Sequence, residues 1–227
     1  MSEGLRERKK RETRLRISDI ATGLFLARGF DNVTVAEVAR TADVSVNTVF
    51  NYFATKEDLL FDRQDEVEEL PSKVVRERGP GESAAEALRR DFLDALDTRH
   101  WRYGFHEGSD DFARMLGASP SLAARVREMN ERREQALART LADEVDADSD
   151  DLTPRLVAAQ ICATLHTLMT YTVQRMLAGE STDTIAPDLR EQAGHAFRLL
   201  ESGIGDYCIR WEDIPRAGGA DTSRAIP

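Results

Sequence analysis

The sequence predicts an all-α protein: a small head of three helices, the first longer than the other two, followed by a larger helical body, about nine helices in all. Three observations predict it. Apolar residues recur at helical spacing along most of the chain, and no stretch alternates convincingly with the period of two that a strand requires. Helix start and stop signals punctuate these stretches at regular intervals. The stretch Val33–Leu60, VTVAEVARTADVSVNTVFNYFATKEDLL, reads as two short helices joined by a tight turn and followed by a further helix start.

Taken in order, Thr13–Arg28 carries Ile17, Ile20, Ala21, Leu24 and Phe25 on one apolar stripe, and Gly29 ends it as a left-handed cap. Thr34-Val-Ala-Glu37 matches a capping box, in which threonine and glutamate satisfy each other's backbone N–H groups. Val35, Val38, Ala39 and Ala42 then form the buried stripe of the second helix, and Asp43-Val44 makes the turn. Ser45 caps a third helix, Val46–Phe53. Spacing divides this helix into Val46, Val49, Phe50 and Phe53 on one side and Asn47, Thr48, Asn51 and Tyr52 on the other. The second set contains no acid and only groups able to bond bases or phosphates, which suits a helix laid in the major groove. An ordinary solvent face would carry Glu and Lys.

Thr55-Lys-Glu-Asp58 caps a fourth helix running toward Arg78, with Pro71 placed to kink it or end it early. Ser83–Arg99 is amphipathic through Ala84, Leu88, Phe92, Leu93 and Leu96. A loop and a short helix follow. Pro120 opens a helix to about Glu144, and Pro154 opens another to Leu177, since proline fits the first helical turn. A last helix runs from about Asp188 to Ile209, weakened by Gly203 and Gly205. The expected units are residues 1–55, a basic arm and DNA-binding head; 56–211, the body; and 212–227, a Gly-, Pro- and Ala-rich tail without fixed structure.

The net charge of −10 is unevenly spread. Residues 1–60 carry a net +1, the first sixteen alone +4, and the remainder −11. An acidic body with a basic arm orients itself on a polyanion. Arg8, Lys9, Lys10 and Arg11 are the arm residues expected to meet phosphate. No uninterrupted apolar run approaches ~18–20 residues, so no membrane partner is expected. The charged N-terminus has no apolar segment after it, so the expected location is the cytoplasm. Cys162 and Cys208 stand in no metal or redox spacing and read as buried, reduced thiols.

Val44-Ser45-Val46-Asn47-Thr48-Val49-Phe50-Asn51-Tyr52-Phe53-Ala54-Thr55-Lys56-Glu57-Asp58-Leu59 resembles the signature of the TetR family of bacterial transcriptional regulators, a helix-turn-helix with an aromatic-rich end and a Lys-Glu pair. The resemblance covers roughly the first quarter of the chain. It implies a head that binds a palindromic double-stranded DNA operator, and a body that binds a small-molecule effector and forms a homodimer. The protein is then a ligand-responsive regulator, a repressor released by its effector. Thr34 and Lys56 look like phosphate contacts. Ser45, Asn47, Thr48, Asn51 and Tyr52 look like the DNA-facing set, and Val46 is counted with them. Two residues depart from the family pattern. Asp43 stands where glycine is usual, and aspartate tolerates a left-handed backbone. Phe50 stands where tyrosine is usual and lacks the hydroxyl that reaches phosphate. An activator, a protein-interaction module on the same fold and a small helical enzyme are the alternatives.

The resemblance also places a four-helix bundle at the last two long helices, making them the homodimer interface. The helix from Pro154 is apolar around much of its circumference, as a helix buried on two faces should be. Candidate effector-pocket residues are Phe92, Trp101, Tyr103, Phe105, Phe112, Met115, His166, Met169 and Tyr171, each of which also reads as core, His166 included. No metal or cofactor is expected. Asp146-Ala-Asp148-Ser-Asp150 mimics the opening of a calcium loop, but its sixth position is Asp151 and its twelfth Val157. His100, His106, Glu107 and Asp110 supply no helical pair of metal ligands at i and i+4. No nucleophile elbow or phosphate loop is present.

Overall fold

A computed structural model describes residues 4–106, 108–204 and 207–209. Among them are nine α-helices and no strand. Helix α1 spans Leu5–Arg28, eight residues longer at its start than the apolar stripe indicates. The basic arm is therefore the first turns of α1 and not a separate extended segment. Nothing from Leu5 onward breaks a helix, and Arg8 and Glu12 face each other one turn apart at 3.6 Å. The Thr13 hydroxyl donates to the Lys9 carbonyl at 2.9 Å, as a threonine inside a helix does. Gly29 ends α1 at φ 84°, ψ 143°, a conformation that only glycine adopts without strain.

Helix α2 is Val35–Thr41 and α3 is Val46–Tyr52. Asp43, in the turn between them, is left-handed at φ 53°. The expected fourth-helix start at Thr55 is instead a 3-10 turn, Glu57–Leu59, and α4 spans Gln64–Arg76. Thr55 and Asp58 do bond reciprocally, the Thr55 N–H to the carboxylate at 2.9 Å and the Asp58 N–H to the hydroxyl at 3.2 Å. The helix cannot start there because Leu59 and Leu60 are drawn into the head core, while Asp62 is held by Arg14 at 2.5 Å. The chain must turn before it can leave the head. Pro71 is buried within α4 and does not end it.

Helix α5 (Ala84–Asp97) opens on a second capping box, Ser83 with Glu86. A 3-10 turn at Trp101–Tyr103 leads to α6 (Ser109–Ala118), α7 (Pro120–Glu144), α8 (Thr153–Leu177) and α9 (Thr182–Ile204). Helix α9 starts six residues earlier than Asp188, because Ser181 accepts the Thr184 N–H at 3.3 Å and Pro187 is accommodated inside the helix. It ends at Ile204 instead of Ile209, and Cys208 beyond it is left-handed at φ 59°. Gly205 and the expected tail, 212–227, lie outside the described residues.

Two apolar cores result. The head core gathers Ile17, Ala21, Phe25, Phe30, Val38, Val49, Phe53 and Leu59, and it also takes in Met115 of α6 and Leu122 of α7. The body core gathers Leu88, Phe92, Leu137, Leu141, Ile161, Leu165, Leu189 and Phe197. Burying each of the Val, Leu, Ile, Met and Phe side chains among them contributes about 1.5–3 kcal/mol. Helix α4 packs chiefly on α7, and α8 packs against both α7 and α9. By length and composition α8 is apolar enough to cross a bilayer, although its sequence shows no unbroken apolar run. In this fold it buries Val157, Ile161, Leu165, Leu168 and Met176. Its other side leaves Leu156 59% exposed, and α9 leaves Leu199 64% exposed. Cys208 is buried, with the Arg78 guanidinium donating to its sulfur at 3.3 Å, and Cys162 is half-buried.

Candidate nucleic-acid interface

The outward surface of the head is set by how α3 sits on α1 and α2. Ser45 caps α3 by accepting the Thr48 N–H at 3.0 Å, and the two hydroxyls lie 2.7 Å apart. Val49 and Phe53 are 1% exposed and anchor the helix. Tyr52 is half-buried against the same core, and its carbonyl accepts from the Arg14 guanidinium, which also lies over the Phe53 ring at 4.5 Å. The exposed residues are Val46, Asn47, Phe50 and Asn51. The helix is thus rotated by roughly one residue step, ~100°, from the division that spacing alone gives. Phe50, expected inside, is 50% exposed, and Val46 is 38% exposed. Tyr52, expected outside, packs inward. The cause is the short helix. With only two turns, spacing does not fix the rotation, and the Arg14 guanidinium, which bonds the Tyr52 carbonyl and covers the Phe53 ring, draws the Tyr52–Phe53 end onto α1.

The outward strip carries two amides, two apolar groups and no charge. Around it, polar groups are held in place by local bonds. The Thr34 hydroxyl accepts the Glu37 N–H at 3.2 Å and donates to the Glu37 carboxylate at 2.9 Å. The Thr34 backbone N–H and then the Arg28 guanidinium hold the Glu37 carboxyl well below the usual range, at about 2. Lys56 donates to the Phe30 carbonyl at 2.7 Å and lies over the Phe30 ring at 4.2 Å. One of its three donors is thereby committed to the head. Arg8, Lys9, Lys10 and Arg11 are exposed on the first turns of α1.

The nine candidate pocket residues fall into separate groups. Phe92, Tyr103 and Phe105 form one aromatic cluster in the body core, with ring centroids 5.1 and 5.3 Å from Phe92. The Tyr103 hydroxyl donates to Asp91 at 2.9 Å, and burial first, then the Asp91 carboxylate, raises its pKa. Phe112 and Met115 belong to the head core. Met169 packs on the body core. Tyr171 donates to Asp188 beside Arg175. Trp101 is half-buried beneath the Arg63 guanidinium, 5.5 Å from its ring. His166, expected among core residues, is exposed at a groove of about 350 Å³ between α7 and α8, which Asn130, Arg133 and Cys162 also line.

Comparison with known proteins agrees with this architecture. Residues 17–62 match the family described as bacterial regulatory proteins, tetR family, and residues 82–205 match the MftR C-terminal domain. The HTH-type transcriptional regulator TcmR of Streptomyces glaucescens is 33% identical over 163 residues, 69% of this chain and 71% of TcmR. In fold, the chain is similar to NalD, the secondary repressor of the MexAB-OprM multidrug efflux pump in Pseudomonas aeruginosa, with TM-score 0.55, 20% identity, and 82% and 97% of the two chains covered. It is likewise similar to Salmonella enterica GusR, with TM-score 0.54, 18% identity, and 84% and 94% covered. A helix-turn-helix matched within residues 17–62, a body matched over more than half the chain and a relative one-third identical together establish that this chain belongs to the TetR family of bacterial transcriptional regulators.

Proposed function

We propose that the protein is a ligand-responsive repressor that binds a palindromic operator as a homodimer and is released by a small-molecule effector. The observation that carries this reading is the outward strip of α3. Asn47 and Asn51 lie one turn apart on it, and each amide can pair with an adenine edge in the major groove. Phe50 and Val46 beside them offer apolar contact to thymine methyl groups or sugars. Ser45, Thr48, Thr34 and Lys56 border the strip as phosphate contacts, with the basic first turns of α1 adding a sequence-independent attraction. Tyr52 acts from behind, by fixing the helix.

The homodimer forms through α8 and α9, whose exposed leucines Leu156 and Leu199 call for a partner surface. Effector binding reaches the heads through the α6–α7 corner. Met115 and Leu122 are built into the head core, Ser119 donates to Asp31 at 3.0 Å, and Arg125 pairs with Asp58 at 2.8 Å. A shift of α7 relative to α4 therefore moves the head as a body.

The test is a gel shift on the DNA flanking the protein's own gene, at two salt concentrations. A discrete complex that survives competitor DNA is the expected result. A smear that disappears at the higher salt overturns sequence-specific binding and leaves only the attraction of the basic helix.

A further inference from the structure

Helix α7 buries Met129, Leu137 and Leu141, positions separated by whole multiples of four residues. The position completing that stripe is Arg133, so a guanidinium stands where the helix pattern calls for an apolar side chain. It faces the junction of α4, α7, α8 and the turn after α5. Tyr103, Cys162 and Glu68 are its electrostatic neighbours, and enclosure there depresses its pKa. Its Nη2 donates to Asn130 on its own helix at 2.7 Å. Its Nε is enclosed and has no acceptor. Among the described residues no carboxylate lies within the 4.0 Å of an ion pair with it, and Glu68 instead lies 3.9 Å from Arg132. Glu131 and Glu134 line the same groove without pairing to Arg133.

A sheltered guanidinium without a counter-ion is costly, and a stripe position could have held leucine at no such cost. Its fork of N–H donors matches a carboxylate or a phosphate. It also opens onto the α7–α8 groove, whose volume suits a small organic molecule. We infer that the effector carries an acidic group, carboxylate or phosphate, which seats on Arg133 with Asn130 beside it, while its uncharged part lies along Cys162 and Ala163. This deepens the effector reading of the body and rests on it.

The test uses the full chain and two pairs of probes matched in shape: decanoate with decanamide, and 2-naphthoate with 2-naphthamide. Calorimetry reads affinity, and thermal melting reads stability. The expected result is that at least one acid binds saturably and ten-fold or more tighter than its amide, and that Arg133→Met removes this preference without lowering the melting temperature of the free chain. Arg133→Lys, which keeps the charge but not the fork, retains part of the preference. The inference is overturned if neither acid binds, if amides bind as tightly as acids, or if the preference persists in Arg133→Met. A large loss of stability in both variants also overturns it, since Arg133 is then a structural prop. Operator binding measured in parallel separates the two readings: acid binding without DNA binding removes the repressor and leaves the anion site standing.

Discussion

Phe50 offers the sharpest test of how α3 is seated. Periodicity assigns it to the core, whereas the structure leaves it 50% exposed beside Asn47 and Asn51. A phenylalanine side chain carries on the order of 200 Å² of surface, so about 100 Å² is free to be covered by DNA. At ~25 cal/mol per Å² the ceiling is ~2.5 kcal/mol. Ordering and imperfect contact reduce this to about 1–2 kcal/mol, or roughly 5- to 30-fold in affinity. Phe50→Ala is therefore expected to weaken operator binding by that factor. Its salt dependence should not change, because no charge is lost. The melting temperature should fall by no more than a few degrees. Val49→Ala, at a neighbour that is 1% exposed, should do the reverse. Removing two buried methyl groups and leaving a cavity costs about 2–3 kcal/mol, roughly 5–10 °C for a chain of this size. Fluorescence anisotropy on a labelled operator and thermal melting of both variants provide the measurement. If Phe50→Ala melts as low as Val49→Ala and binds DNA normally, the assignment of the outward strip is wrong.

Further outcomes are expected. Asn47→Ala and Asn51→Ala should each relax base preference at one operator position, by ~1–3 kcal/mol if the contact is bidentate, and an unchanged preference across a set of operator variants rejects the pairing. Thr34→Ala should cost about 1 kcal/mol of stability through loss of the capping box, read by chemical denaturation. Because the folded state holds the Glu37 carboxyl at about 2, below its ordinary 4.5, its contribution is full above pH 4.5 and disappears as pH falls toward 2. An acid titration of Glu37→Gln should therefore show a flatter loss of stability across that window, and an identical profile rejects the assignment. Leu156→Glu combined with Leu199→Glu should convert a dimer into a monomer in sedimentation velocity. A dimer that survives both changes places the interface elsewhere.

Much of the molecule was legible because its signals are local. Thr34–Glu37 closes a capping box within four residues, Ser45 caps α3, and Asp43 takes the left-handed turn. Each of these depends on groups one helical turn apart, so the residue types suffice. The resemblance over Val44–Leu59 likewise located the head. Errors arose where the deciding group is distant in sequence. Thr55–Asp58 looks like a helix start and bonds like one, yet the helix waits until Gln64 because Arg14 and the α1 core hold Leu59 and Asp62. Arg133 differs, because nothing in its residue type signals enclosure; only its i, i+4 register with Met129 and Leu137 does.

The sequence by itself determined that the chain is helical, where most helices begin and end, and which short stretch forms the helix-turn-helix. Those properties follow from backbone hydrogen bonding and from the 3.6-residue period, both local. Only the tertiary structure decided which face of α3 points outward, that the basic arm continues α1, and that Met115 and Leu122 of the body complete the core of the head. A two-turn helix has too few residues for periodicity to fix its rotation. The choice falls to whichever rings the neighbouring helices can enclose, and that is settled by packing between residues far apart in the chain.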